Sequence, residues 1–175
     1  MSSHVALLRG INVGGCHVLP MKDLAGLFVA AGCREVQTYI QSGNVVFGAT
    51  AAVARKVPAL VAAAIQERFG FESPVVVRTA AELLAVVRDN PYQHGTDLLS
   101  VLFLAEAPSG AQVASLDPQR SAPDSFVVKG REVYLHTPRG LGRTKLTNAY
   151  FDSKLGTVST GRNWRTVLKL VEMTG

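Results

Sequence analysis

Four stretches of the chain have residue types and spacing that could do chemistry. The first is Arg9-Gly10-Ile11-Asn12-Val13-Gly14-Gly15, placed between an apolar run and a helical pattern. Glycines at such a place let backbone N–H groups turn toward an anion and form the concave nests that hold one. Arg9 and Asn12 set polar side chains beside Gly14 and Gly15. The spacing is neither the dinucleotide fingerprint G-x-G-x-x-G nor a P-loop, because Cys16-His17 stands where Lys and Ser or Thr belong. A tight turn at a strand end accounts for the same residues, so both readings stand. The second stretch, Gln41-Ser42-Gly43-Asn44, offers Ser42 and Asn44 at a hairpin tip, where ordinary turn chemistry is the plainer account.

The third stretch carries the strongest local argument. Pro138-Arg139-Gly140-Leu141-Gly142-Arg143-Thr144-Lys145 is a glycine-rich basic loop that reads as opening onto a helix through Asn148. A helix start presents unpaired N–H groups and a partial positive charge, both favourable to an anion. Arg139, Arg143 and Lys145 add full charges, and an arginine can grip a phosphate through two parallel bonds. The fourth stretch is Thr160-Gly161-Arg162-Asn163-Trp164-Arg165, in which Asn163 reads as the N-cap of a last helix flanked by Arg162 and Arg165. Trp164 reads as a core residue, with stacking on a nucleic-acid base the alternative. No H-E-x-x-H, G-x-S-x-G, zinc-like Cys/His spacing or paired-acid motif occurs, and His4, His17, His94 and His136 are scattered. A general acid, base and nucleophile therefore cannot be assembled. The expectation is of no metal and no cofactor, with catalytic residues and enzyme status unassigned.

These stretches must be positioned by elements that the periodicity predicts. His4–Arg9 reads as a buried strand, and Met21, Leu24, Ala25 and Phe28 as one face of a helix. Val36–Ile40 and Asn44–Phe47 read as a hairpin across Ser42-Gly43. A helix spans Ala51–Phe69, in which Pro58 should impose a kink or mark the true start. Pro74–Arg78 reads as a strand, and Leu83, Leu84 and Val87 as a short helix. The order then recurs: a strand over Leu98–Leu104, a weak helix in Gly110–Leu116, a hairpin Phe126–Lys129 and Glu132–His136, a helix over Lys145–Leu155, and a last helix marked by Trp164, Val167, Leu168 and Val171. Each half reads strand, helix, hairpin, helix, and the first adds a closing strand. The expectation is an α+β protein of duplicated ferredoxin-like (βαββα) halves with mixed or antiparallel sheets and an extra C-terminal helix. The halves would cover residues 1–90 and 91–175, with the seam in Asp89–Asp97.

Composition narrows the partners. The 175 residues carry 18 Lys+Arg against 13 Asp+Glu, with 47% hydrophobic residues, which excludes a disordered or collagen-like chain. The net charge of +5 is local: seven basic residues and two acids lie in 137–175, while residues 1–136 hold eleven of each. A solvated surface could carry that excess, but its concentration favours an anionic partner. The start lacks the pattern of a secretory signal, no apolar stretch approaches the ~18 residues of a membrane span, and two cysteines make no disulfide framework. A cytoplasmic protein with no membrane association is expected. Cys16-His17 reads as a loop cysteine beside an exposed histidine.

The segments Leu7–Gly15, Thr38–Phe47, Leu146–Gly156 and Arg162–Leu170 resemble those of a bacterial family, the domain of unknown function DUF1697, over nearly the whole chain. The resemblance implies an α+β fold with a duplicated ferredoxin-like arrangement. It implies no activity and no catalytic residue. The family often places a basic residue after the paired glycines, where this chain has Cys16-His17. The working expectation is a site for a phosphate-bearing or other anionic ligand, nucleic acid among the candidates, that uses the C-terminal basic segment. An enzyme acting on a small anionic substrate and an interaction module without catalysis are the alternatives.

Overall fold

The structure, a computed structural model, describes all 175 residues. Strand β1 spans Ser2–Leu8 and buries Val5, Ala6, Leu7 and Leu8 completely. Successive strand side chains point to opposite faces, so burial of all four means that both faces of the sheet are covered at this strand. That is why its sequence is a continuous apolar run and does not alternate. Around it lie α1 (Met21–Ala30), β2 (Arg34–Tyr39), β3 (Asn44–Ala49), α2 (Ala51–Phe69) and β4 (Val75–Thr79). The sheet order is β2-β3-β1-β4 with every neighbouring pair antiparallel, which is the ferredoxin-like order. Leu24 and Phe28 of α1 and Val57, Val61 and Ile65 of α2 close the core over Ala6, Leu8, Val45 and Phe47. Each such fully buried Leu, Ile or Phe contributes about 1.5–3 kcal/mol.

The second half repeats the plan with β5 (Leu99–Leu104), α4 (Gly110–Ala114), β6 (Ser125–Lys129), β7 (Glu132–His136), α5 (Asn148–Leu155) and β8 (Ser159–Asn163). Its sheet order is β6-β7-β5-β8, again antiparallel throughout. Leu102, Leu104, Val133, Leu135, Phe151 and Leu155 form its core. Helix α3 (Ala80–Arg88) follows β4 directly, as α6 (Trp164–Thr174) follows β8. The chain divides into two compact units, Met1–Leu84 with Leu170–Gly175, and Ala85–Lys169. No helix is long and apolar enough to cross a membrane.

The duplication is more complete than the sequence suggests. The second half also has its closing strand, β8, whose Ser-Thr-Gly-Arg-Asn sequence shows no apolar pattern. Backbone pairing to β5 and burial of Ser159, Thr160 and Arg162 make it a strand. Helix α5 begins at Asn148, later than Lys145, because Thr147 is its N-cap: its side chain accepts from the Tyr150 amide at 3.2 Å. Pro58 lies inside α2 and does not start it, since Thr50 already caps the helix by accepting from Val53 N. In α3 and α6 the buried faces are Leu83 and Val86, and Trp164, Val167 and Leu170, whereas Leu84 and Leu168 are exposed.

Candidate functional site

The first two stretches meet within the first unit. The Asn12 side chain, in a left-handed backbone conformation at φ +53°, donates to the carbonyls of Leu19 and Gln41, each at 2.9 Å, and accepts from Leu19 N at 2.8 Å. It thereby closes its own loop and ties that loop to the hairpin. The Leu8 amide donates to Gly43 O at 2.9 Å. Gly43 sits at φ +89°, and a Cβ there would lie 2.8 Å from Leu8 Cβ and 2.9 Å from Ile11 Cδ1, so only glycine fits. Asn44 is fully buried and donates to Tyr39 O and Ser42 Oγ, each at 3.0 Å. The polar side chains of Asn12 and Asn44 thus build the junction. Gly14 and Gly15 are exposed at its tip, both at positive φ. Arg9 anchors the other end: its amide donates to Pro74 O and its carbonyl accepts from Ser73 Oγ. Beside the tip, the His17 ring stacks on Phe71 with centroids 4.4 Å apart.

The third and fourth stretches lie in the second unit. Arg162 is buried on β8 and donates to Thr160 Oγ1 at 3.0 Å and to Gly161 O at 2.7 Å; burial lowers its guanidinium to about 10, which leaves it charged at neutral pH. Asn163 caps α6 by accepting from Thr166 N at 2.9 Å. Asn148 donates to Ser159 Oγ, which in turn donates to Asp152 Oδ1, joining α5 to β8. Trp164 is buried. These groups hold the unit together, and the exposed charge is elsewhere.

That charge sits where two loops clasp each other. Arg120 Nε donates to Lys145 O at 3.0 Å, and its guanidinium lies 4.2 Å over the Tyr150 ring. In return, Arg139 donates from the second loop to Ala122 O of the first at 3.2 Å. Between them, Ser121 Oγ accepts from Lys145 N at 3.0 Å and donates to Asp124 Oδ2 at 2.8 Å. Asp124 is 4% exposed, and its Oδ1 makes no hydrogen bond. The side chains of Arg143 and Lys145, on the rim of this clasp, are exposed and make no hydrogen bond or ion pair. With Arg120 and Arg139 they form a group of four exposed cations on a backbone held by side chains, while Asp124 is turned inward and Asp117, three residues before Arg120, is exposed. Neither Arg120 nor Ser121 belongs to a motif. Only the contact between distant loops brings them in, and the sole hint in the sequence is the turn-rich Asp117-Pro118 and Ala122-Pro123 context.

Known proteins bear out the fold and the family. A conserved bacterial protein, SP0830 from Streptococcus pneumoniae, has a similar structure, with a TM-score of 0.68 at 21% identity over 99% of this chain and 98% of that one. At that identity the likeness speaks for the fold alone. No curated protein matches the chain. Residues 1–134, well over half of the sequence, match the family described as protein of unknown function, and the chain belongs to that family, DUF1697.

Proposed function

We propose that the second unit binds a phosphate-bearing polyanion, with nucleic acid the form that best suits its surface. The observation that carries this reading is the pair of exposed, unpartnered cations, Arg143 and Lys145, beside Arg120 and Arg139 on loops that clasp each other. A surface cation gains little from one screened anion, so a single small ligand would bind weakly here. A chain of phosphates engages several cations at once and gains further from counterion release. The carbonyl and ring contacts of Arg120 and Arg139 restrict those side chains before any ligand arrives, which lowers the entropy cost of association. Displacement of α5's start to Asn148 takes the helix dipole out of the argument, because Arg143 and Lys145 precede its first turn. The reading therefore rests on full charges.

The test is the salt dependence of binding to single-stranded and duplex oligonucleotides, for the intact chain and for Arg143→Ala/Lys145→Ala. The expected result is affinity that falls linearly with salt on logarithmic axes, with a shallower slope for the variant. Absence of binding at low salt, or an unchanged slope, overturns the reading.

A further inference from the structure

The clasp of the second unit offers a flat surface as well as charge. Arg120 Nε donates to Lys145 O, and the guanidinium carbon lies 4.2 Å over the Tyr150 ring. That ring is a fixed floor. Tyr150 belongs to the core of the unit, meets the Phe151 ring edge-on with centroids 5.4 Å apart, and its hydroxyl accepts from Asp117 N at 2.8 Å. The last bond ties the loop that carries Arg120 to the ring beneath it. Tyr150 is only 9% exposed whereas Arg120 is exposed, so the open side of the guanidinium is the one turned away from the ring. The Arg120 side chain makes no further hydrogen bond, ion pair or ring contact. Asp117 is exposed three residues before it, but no ion pair joins the two, and Asp117 Oδ1 accepts from Gln119 N at 2.9 Å.

A guanidinium is a plane with a rim of five N–H groups. In Arg120 one face lies on Tyr150 and Nε–H is engaged by Lys145 O, which leaves the other face and the outer N–H groups. A phosphate needs only the rim. A planar ring needs the face, because guanidinium planes stack on aromatic systems, nucleobases included. The ligand that uses both carries phosphate and an unstacked base together. In a duplex each base face is covered by its neighbour, and in a single strand it is open to a side chain. Trp164, the stacking group that the sequence offers, is buried. We infer, on the footing of the polyanion surface proposed above, that Arg120 on Tyr150 is a stacking platform for one base of a single-stranded nucleic acid, whose phosphates engage Arg143 and Lys145. The surface thereby prefers an unpaired strand to a polyanion without rings.

The probes are oligothymidylate and an abasic strand of the same length and phosphate count, titrated into the intact protein across a salt series. The expected result is tighter binding of oligothymidylate by about fivefold or more, the low end of what one base stacked on a flat side chain contributes, at equal salt slopes. Arg120→Lys keeps the charge and loses the plane. It should bring the two strands to within about twofold of each other and leave the salt slope in place. Arg120→Trp keeps a plane and loses the charge. It should preserve the preference for oligothymidylate while the slope becomes shallower by about 0.7. Equal urea midpoints establish that both variants fold, and the comparison of the two strands on the unsubstituted protein needs no variant. Equal binding of the two strands by the unsubstituted protein, or a preference that survives Arg120→Lys, overturns this inference and leaves the polyanion surface standing. No binding of either strand at low salt overturns both.

Discussion

Ser121 holds the clasp of the second unit, and its removal should be costly out of proportion to its size. The hydroxyl makes three hydrogen bonds in the structure: it accepts from Lys145 N and, at 3.4 Å, from Thr144 Oγ1, and it donates to Asp124 Oδ2. Ser121→Ala leaves a backbone amide without this acceptor and leaves a buried carboxylate with neither oxygen hydrogen-bonded, since Oδ1 already makes no bond. Each buried polar group left unsatisfied costs about 1–3 kcal/mol, so the two together predict a loss of about 2–5 kcal/mol. That is a large fraction of the ~5–15 kcal/mol of a typical protein. The double variant Ser121→Ala/Asp124→Ala removes the stranded carboxylate as well. It should therefore be less destabilised than the sum of its single variants by at least about 1 kcal/mol. Equilibrium unfolding in urea, monitored by far-UV circular dichroism with the denaturant slope compared across variants, measures both quantities. A Ser121→Ala loss within about 0.5 kcal/mol of zero, the range of ordinary surface substitutions, or strict additivity in the cycle would refute the reasoning.

Other outcomes follow from single residues. Gly43→Ala, at φ +89° with its new Cβ 2.8 Å from Leu8 Cβ, should destabilise by about 2–5 kcal/mol in urea unfolding. Ile40→Gly, at φ +50° and 51% exposed, should instead stabilise by about 0.5–1 kcal/mol, because a branched side chain gains little there and opposes the backbone. In a thiol-reactivity assay, Cys16, exposed, should react in the native protein, whereas Cys33, buried with its thiol pushed up by that burial, should react only after unfolding. Tyr134 donates to Val86 O at 2.7 Å, and burial raises its phenol far above the usual range. Its contribution to stability is complete below the unfolded-state value of about 10 and is lost as pH rises beyond it. The melting temperature of the unsubstituted protein should therefore fall more steeply above that pH than that of Tyr134→Phe, and parallel profiles would contradict this assignment.

The legible part of the fold was the part written in apolar periodicity. The continuous run of β1, the spacing of Leu24 and Phe28, and the hairpin of Phe126–Lys129 and Glu132–His136 across Gly130 all gave elements close to those observed. β8 was not legible, because its strand character lies in hydrogen bonds to β5 and in buried polar groups, neither of which has a hydrophobic signature. The exposed Leu84 and Leu168 show the converse error: an apolar residue at helical spacing is not thereby in the core. The site divided in the same way. Arg139, Arg143 and Lys145 were visible as a charge run, while Arg120, Ser121 and Asp124 come from a loop some twenty residues earlier and are joined to them only by tertiary contact. Asn12, Asn44, Asn148, Arg162 and Asn163 were visible as polar residues in promising places, but side-chain type alone does not say whether a polar group faces a ligand or closes a loop.

The most direct test of the central proposal is the slope of log K against log salt for an oligonucleotide. Four exposed cations that each meet one duplex phosphate predict a slope of about −3.6, a loss of about 150-fold in affinity between 50 and 200 mM salt. Arg143→Ala/Lys145→Ala leaves two of the four, which predicts a slope of about −1.8 and a loss of only about 12-fold over the same range. A slope that is flat for the unsubstituted protein, or equal in the two proteins, would contradict the assignment of this surface to a polyanion.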